Sequence, residues 1–379
     1  MKSTIYILGA SATAHWSGSD GMWIQAAKQL QVNHDVHVIS PIPKNVLQEL
    51  GLTQVKHTPL PAMAHAKSKV GAFVMKAFGV LTLEMVRPAG HDVVVFSQGS
   101  VDTFADGLYK HWLNRCSACI ISVTQLNTEY EVPSKKIRSL GRRFFSKTWK
   151  NVFVSQRNLD TARRQFLLPL NNAEVIHNSP KMDIEDLPWP EASILKLACV
   201  GRYQAQTKGQ LVLLEALREF SEESWELHFY GSGPDKHLIR EAIDFYGLSQ
   251  RCFIHGYVSN PSEIWKRCHV LALVSTMEGF PLVISEAMLA GRVCLVSDVG
   301  GNVEVLSENQ RPFVASAPNV AQTKKDLRAL FATTSKELEA IGVVNMELAR
   351  RNMLHESSSP LATMIEDFIP DFAQKQSMK

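Results

Sequence analysis

The stretch "HVLALVSTMEGFPLVISEAMLAGRVCLVSDVGG", residues 269–301, decides the fold. Its two ends, HVLALVS and VCLVSD, are apolar on both parities, the mark of strands covered on both faces. Between them PLVISEAMLA has helical length and is polar only at Ser285 and Glu286. Pro281 suits the first turn of that helix, where its missing N–H costs nothing, and Gly291 suits its end. A strand, a nearly all-apolar helix and a second strand make a β–α–β unit, whose two strands run parallel.

The same alternation extends in both directions. STIYILG, HDVHVIS, DVVVFSQ, CIISVTQ, NVFVSQ and AEVIHN read as strands in the first half. LKLACVG, ELHFYG, CFIHGY, HVLALVS, VCLVSD and PFVA do so in the second, with helical spacing in segments such as 207–220 and 235–247. Two cycles of the pattern flank SPKMDIEDLPWPEAS, residues 179–193, whose three prolines and clustered acids read as a linker. The expectation is an α/β protein of two Rossmann-like, doubly wound domains, 1–190 and 191–345. A helical tail follows over 346–379, placed to pack back on the first domain and ending in a polar QKQSMK that should fray. Ligands of such sheets bind beyond the carboxyl ends of the strands, so the loops after strands, facing a cleft between the domains, are where function is expected.

Composition narrows the partners. The chain has 379 residues, 45% hydrophobic and 20% charged, with a net charge of +3. That length suits two cores, and the balance implies no nucleic-acid partner and no global attraction to a membrane. The N-terminal apolar run is broken at Gly9 and reads as a strand rather than a secretory signal. No stretch reaches the roughly 18 apolar residues of a membrane span, and the expected location is cytoplasmic. Of the six cysteines, Cys199 and Cys294 lie in strand-like runs. Cys116 and Cys119 form a C-x-x-C with no second pair at zinc spacing, so packing thiols and no metal are expected.

Glu278 and Glu286 stand out against this apolar background. Glu286 has Leu282, Val283 and Ala290 as its helical neighbours, so it has no polar face of its own. A buried carboxylate without donors is costly. Glu278 lies in the loop where the backbone N–H groups of Gly279, Phe280, Pro281's neighbour Leu282 and the positive end of the helix dipole gather. Gly279 lets a ligand approach the backbone closely. Such a nest suits an anionic ligand, and two carboxylates beside it suit hydroxyl donors of a sugar or ribose. A capped helix with one salt-bridged glutamate fits the same residues equally well.

EGFPLVISEAMLAG, with its E-x7-E spacing and the following VCLVSDVGGNVEVL, resembles the donor site of family-4 retaining glycosyltransferases of the GT-B fold. The resemblance implies that Glu278 contacts donor-sugar hydroxyls and Glu286 the nucleotide ribose. Backbone around Phe280, Pro281 and Leu282 would hold sugar and phosphate. It extends to ACVGRYQAQTKGQLVLLEAL, where Arg202 and Lys208 flank a strand-to-helix loop and a helix follows Lys208. An arginine grips phosphate oxygens as a fork and a lysine adds a point charge, so this pair is expected on the donor diphosphate. The sequence has no D-x-D to hold a divalent ion on the diphosphate, and Arg202 and Lys208 can neutralise the leaving group directly. A metal-independent reaction follows, with a nucleoside-diphosphate sugar as co-substrate and no further cofactor. FYGSGPDKHLI, with Gly231 and Gly233, matches the family's turn on the nucleotide side. FIHGYVSN matches the strand end before the base pocket, giving Tyr257 and Val258 as base contacts through backbone.

In the first domain, ASATAHWSGSDGMW is not a dinucleotide fingerprint, but the family carries a glycine-rich loop here, and Gly18 is the expected contact. Many relatives carry a histidine at the end of the strand in IISVTQLNTEYEVPSKK. Here the loop offers Gln125, Asn127 and Glu129, joined by Gln98 of FSQGS. Amides both donate to and accept from sugar hydroxyls, so these four are the expected acceptor contacts. His111 and His177 are the other histidines that could assist, although lone histidines are usually structural. SKKIRSLGRRFFSKTWKN, from 134 to 151, carries seven cations and no acid, with Phe144, Phe145 and Trp149 interleaved. It reads either as a face for a membrane surface or lipid-linked acceptor, or as a solvated helix with its aromatics in the core. The stripe of Val70, Phe73, Val74, Ala77 and Leu81, within 63–86, reads as core.

The reading is a retaining glycosyltransferase acting on a saccharide or lipid-linked glycan. A nucleotide-sugar epimerase or phosphorylase on the same fold, or a non-catalytic sugar-nucleotide-binding subunit, uses the same residues.

Overall fold

The computed structural model describes residues 3–10, 18–62, 69–180, 186–353 and 358–377. The chain divides into two compact units, Met1–Asn178 with Glu356–Lys379, and Ser179–His355. The first holds seven parallel strands, β1 (Thr4–Ala10), β2 (Asp35–Ser40), β3 (Lys56–Pro59), β4 (Val93–Ser100), β5 (Cys119–Leu126), β6 (Lys150–Phe153) and β7 (Ala173–Val175). They lie in the order β3-β2-β1-β4-β5-β6-β7. The helices of this unit are α1 (Gly21–Leu30), α2 (Lys44–Glu49), α3 (Lys69–Glu84), α4 (Gly107–Arg115), α5 (Lys135–Lys147) and α6 (Gln156–Phe166).

The second unit holds β8 (Leu195–Val200), β9 (Trp225–Tyr230), β10 (Cys252–Gly256), β11 (Val270–Leu273), β12 (Val293–Ser297) and β13 (Val314–Ala315) in the order β10-β9-β8-β11-β12-β13. Its helices are α7 (Ala205–Lys208), α8 (Gln210–Leu217), α9 (Lys236–Phe245), α10 (Ser262–Trp265), α11 (Leu282–Leu289), α12 (Val320–Ala332) and α13 (Ser335–Met353). The terminal α14 (Pro360–Ser377) returns to the first unit. Both sheets are doubly wound and parallel throughout. In each, strand order reverses beside the first strand, between β1 and β4 and between β8 and β11. Ligand crevices open at such points.

The division between units, after Asn178, falls at the start of the proline-rich segment 179–193. Residues 186–190 are part of the second unit because Arg292 anchors them. Its guanidinium donates to Pro188 O at 2.8 Å and twice to Trp265 O, and it lies over the Trp189 ring. Trp189 also packs beside His269, whose Nε2 meets Pro190 O at 3.0 Å. At the other end α13 runs through residue 345 without a break, so the tail begins later than 346. Residues 181–185 of the expected linker, 11–17 of the first loop and 63–68 of the apolar stripe lie outside the described residues. α14 is tied to the rest of unit 1 by Gln29 Nε2, which donates to Glu366, and by Trp149, whose ring lies tilted against that of Phe368, and its backbone is helical to Ser377.

The basic stretch resolves as α5, with Phe144 against Phe104 and Phe145 fully buried, while Lys135, Lys136, Arg142, Arg143 and Lys147 are exposed. The stripe expected in the core is on the surface instead: Val70, Phe73, Val74 and Leu81 are 58% to 74% exposed. α3 turns Gly79, Thr82 and Leu83 inward, because only the small Gly79 allows the close approach of Leu108 and Pro61.

Candidate functional site

In the second unit the residues singled out by sequence gather at the carboxyl ends of β8 and β11, where the strand order reverses. The loop after β8 carries Arg202 and leads into the single turn α7, which Lys208 ends. The helix expected after Lys208 therefore starts only at Gln210, beyond Gly209 in the left-handed region at φ 65°. A Cβ at Gly209 would meet Val274 O at 2.0 Å, so the loops after β8 and β11 are in backbone contact there. Thr276 reinforces the seam: its N–H donates to Thr207 O and its hydroxyl to Gln206 O.

Across this seam Lys208 Nζ donates to Glu278 Oε1 at 2.6 Å. Ser275 Oγ donates to the same oxygen, also at 2.6 Å. Glu278 is 7% exposed and Lys208 half-buried, so the enclosed carboxylate has its compensating cation beside it. The two residues assigned by resemblance to the sugar and to the diphosphate thus touch each other. A ligand meeting both must have hydroxyls and an anion a few ångströms apart, as a sugar diphosphate does.

Behind Glu278, Gly300 adopts φ 52°, and a Cβ there would fall 2.0 Å from Glu278 O. Gly301 N donates to Gly279 O at 2.8 Å, and Ser297 Oγ donates to Ser275 O. Buried Gly279 and Phe280 lead to Pro281, which is the N-cap of α11 rather than a member of its first turn. Pro281 has no side-chain group to cap α11, which leaves the positive end of the helix to other partners. Leu282, half-buried, begins the helix, and Glu286 lies one turn on, half-buried as well. Arg202 is exposed, and among the described residues no carboxylate pairs with its guanidinium.

Gly231, after β9, backs onto Gly201 and places the third loop beside the first two. Asp235, which sequence reasoning passed over, ties them: its Oδ2 accepts from Ala205 N at 2.7 Å. Tyr203 fills the space beneath, its hydroxyl donating to Phe229 O, and burial pushes its phenol up to about 12. Cys199, fully enclosed at the end of β8, is likewise pushed up to about 12 by burial and is no nucleophile. Tyr257 and Val258 follow β10 on the edge of the sheet, adjoining the group through Gly231 N, which donates to Gly256 O. Tyr257 is exposed and Val258 half-buried. Ser275 was also missed; its position three residues before Glu278 was the available signal.

In the first unit, Gly18 opens a short 3-10 turn before α1 and is exposed. Gln98 and Gln125 lie on neighbouring strands at their carboxyl ends. Gln98 Nε2 donates to Thr124 Oγ1, and Gln125 Oε1 accepts from Asn178 Nδ2. Asn127 Nδ2 reaches Asn158 O at 3.4 Å. Gln98 and Asn127 are enclosed at the strand ends. Glu129 is held by Arg157 through two bonds, at 2.7 and 2.8 Å, which occupies the carboxylate expected to face an acceptor. His111 is exposed beside Glu84, on the surface of α4.

Comparison with known proteins agrees with the geometry of the second unit. Residues 189–345 match the family model of Glycosyl transferases group 1. The chain is 35% identical over 78 residues to the lipopolysaccharide 1,6-galactosyltransferase of Salmonella typhimurium, covering 20% of this chain and 22% of that one. It is 23% identical over 154 residues to the N-acetyl-alpha-D-glucosaminyl L-malate synthase of Bacillus anthracis, covering 41% and 37%. The chain thus spans well under half the length of the curated relatives it matches. In structure it resembles a glycosyltransferase from Rickettsia africae, with TM-score 0.72 and 17% identity over 98% of this chain and 99% of that one. It also resembles Anabaena Alr3699/HepE in complex with UDP, with TM-score 0.70 and 15% identity over 98% and 100%. At such identities the likeness is one of fold, and the fold is the GT-B pair of Rossmann-like domains expected from the sequence.

Proposed function

We propose that the protein transfers a sugar from a nucleoside-diphosphate donor to a saccharide or lipid-linked glycan, with retention of anomeric configuration and without a metal ion. The observation that carries this reading is the Lys208–Glu278–Ser275 group at the strand-order reversal of the second unit, beside the start of α11 and the exposed Arg202. Glu278 would exchange part of its bond to Lys208 for donor-sugar hydroxyls. Lys208, released toward the diphosphate, and Arg202 would neutralise the charge that develops as the sugar–phosphate bond breaks. Glu286 would hold the ribose, with Gly231 and the backbone near Tyr257 and Val258 on the nucleotide side. The acceptor hydroxyl would then attack the face the diphosphate leaves, with the leaving phosphate taking its proton. No side chain need form a covalent bond; positioning and charge stabilisation are the protein's part. The first unit would supply the acceptor side through Gly18 and the amide-lined strand ends. The reading also includes cytoplasmic work at a membrane surface.

That the relatives act on sugars and that Alr3699/HepE was seen with UDP supports the choice of donor class. The test is incubation with UDP-, GDP- and dTDP-sugars while free nucleotide is measured. Nucleotide release that requires an added glycan is the expected result. Release at an equal rate without any acceptor, or firm binding with no turnover on any glycan, would overturn transfer.

A further inference from the structure

We infer that the outer layer of unit 1, formed by α3, α4 and α5, docks on an anionic lipid bilayer; this deepens the membrane part of the reading above and is independent of the chemistry in the second unit. Val70, Phe73, Val74, Ala77, Phe78 and Leu81 recur every three or four residues, so they line one face of α3. All are exposed, as is Met85 just beyond the helix at 77%. Soluble proteins rarely leave so continuous an apolar face in water. The face is not free to roll inward, because the opposite side of α3 is pinned: Gly79 packs onto Leu108 of α4, and Leu83 is fully buried.

The charges around this face select its partner. Lys69 and Lys76 lie on α3, and its single acid, Glu84, is already engaged by Arg115 and His111 of α4. α4 carries no acid within its span, and Asp106 at its start is paired with Lys76. Beyond it, α5 presents Lys135, Lys136, Arg142, Arg143 and Lys147 to solvent and has no acid at all. The three helices share one core: Leu83, Trp112 and Phe145 belong to the same buried cluster, and Lys147 Nζ reaches the carbonyls that end α4. Apolar and cationic surfaces therefore face away from the same side of the sheet. A second copy of the chain meeting this layer would bring cations against cations, whereas anionic headgroups over an acyl interior complement both parts. Among the described residues no helix is long and apolar enough to cross a membrane, so the docking is peripheral.

The experiment is flotation of the full chain with vesicles of phosphatidylglycerol and phosphatidylcholine, against phosphatidylcholine alone. Binding to the anionic vesicles is expected, weakened by salt, with slowed amide exchange confined to residues 69–85 and the start of α5. The double variant Val74→Asp, Phe78→Asp should lose about tenfold or more of that binding while keeping its melting temperature, since both side chains point to water. Nucleotide-sugar binding should be unchanged in the variant, so failure here leaves the catalytic reading standing. No flotation with either vesicle, or full flotation of the variant, would overturn the proposal. So would a dimer of the free chain that the variant dissociates, which would assign the face to a second copy.

Discussion

α3 and α11 look alike as sequences and end in opposite surroundings. Both are apolar around most of their circumference. α11 is roofed: β11 and β12 lie beneath it and α13 packs across it, so closely that a Cβ at Gly342 would meet Gly291 O at 2.1 Å. α3 meets α4 on one side and nothing described on the other. An apolar helix needs cover, but the residues that provide it lie elsewhere in the chain. For α11 the cover arrives some fifty residues later, in α13; for α3, nothing in the described residues provides it. The polar residues differ in kind as well. At α11 the carboxylates sit at its start and within it, next to a lysine brought from another loop. At α3 the charges lie at the ends and the rim.

This contrast sets the order of expected effects. The largest belongs to the α11 end of the molecule. Lys208→Ala should lower transfer by about 10²- to 10³-fold, as loss of a donor aimed at developing charge does. It should also destabilise the fold by up to about 3 kcal/mol by leaving Glu278 buried without its cation. Initial rates and urea unfolding check both, with Val74→Asp on α3 as the partner measurement. If the α3 variant slows transfer in solution equally, the division of labour between the two helices is wrong.

A middle-sized effect separates the helices by packing alone. Ala287 on α11 is fully buried, and Ala287→Leu should cost about 1–3 kcal/mol through overpacking. Ala77 on α3 is exposed, and Ala77→Leu should stay within about 0.5 kcal/mol of wild type. Denaturant midpoints measured on the two variants would show the reverse order only if α3 were covered and α11 were not.

The smallest effect concerns a single buried charge on a third helix, α12. Asp326 is 4% exposed with Oδ2 unbonded, and burial pushes its carboxyl up from 3.8 to about 6. The folded state therefore binds more protons than the unfolded state between those values. Stability from this group is complete below pH 3.8 and is lost as pH rises through 6. Asp326→Asn should gain about 1–2 kcal/mol above pH 7 and nothing near pH 4, read from unfolding curves at the two pH values. A gain of equal size at both would show that the carboxyl is not strained by burial.

Much of the architecture was legible because parallel strands buried on both faces leave apolar runs, and all but one of the strands lie in segments read as strands from the sequence. The exception, β3, is the four-residue KHTP at the sheet edge, where water on one side removes the need for apolar residues. Glu278 was legible as chemistry because a charged residue in apolar surroundings needs partners, and Lys208 and Arg202 through the resemblance of their loop to a known donor site. Their bonds were not: Lys208 and Glu278 are 70 residues apart, and the contact of two loops at Gly209 and Thr276 brings them together. Glu129 shows the converse limit, since nothing in its loop announced that Arg157 would occupy it. The exposure of α3 was hidden for the same reason, as periodicity gives a helix its faces but not its neighbours.

The central claim is that Lys208, Glu278 and Arg202 form a sugar-diphosphate site. Calorimetric titration of the chain with UDP-, GDP- and dTDP-sugars tests it most directly. Saturable binding of at least one donor, weakened at least tenfold in both Lys208→Ala and Arg202→Ala, is the predicted result. Binding with unchanged affinity in those two variants, or no binding by any of the three donor classes, would contradict it.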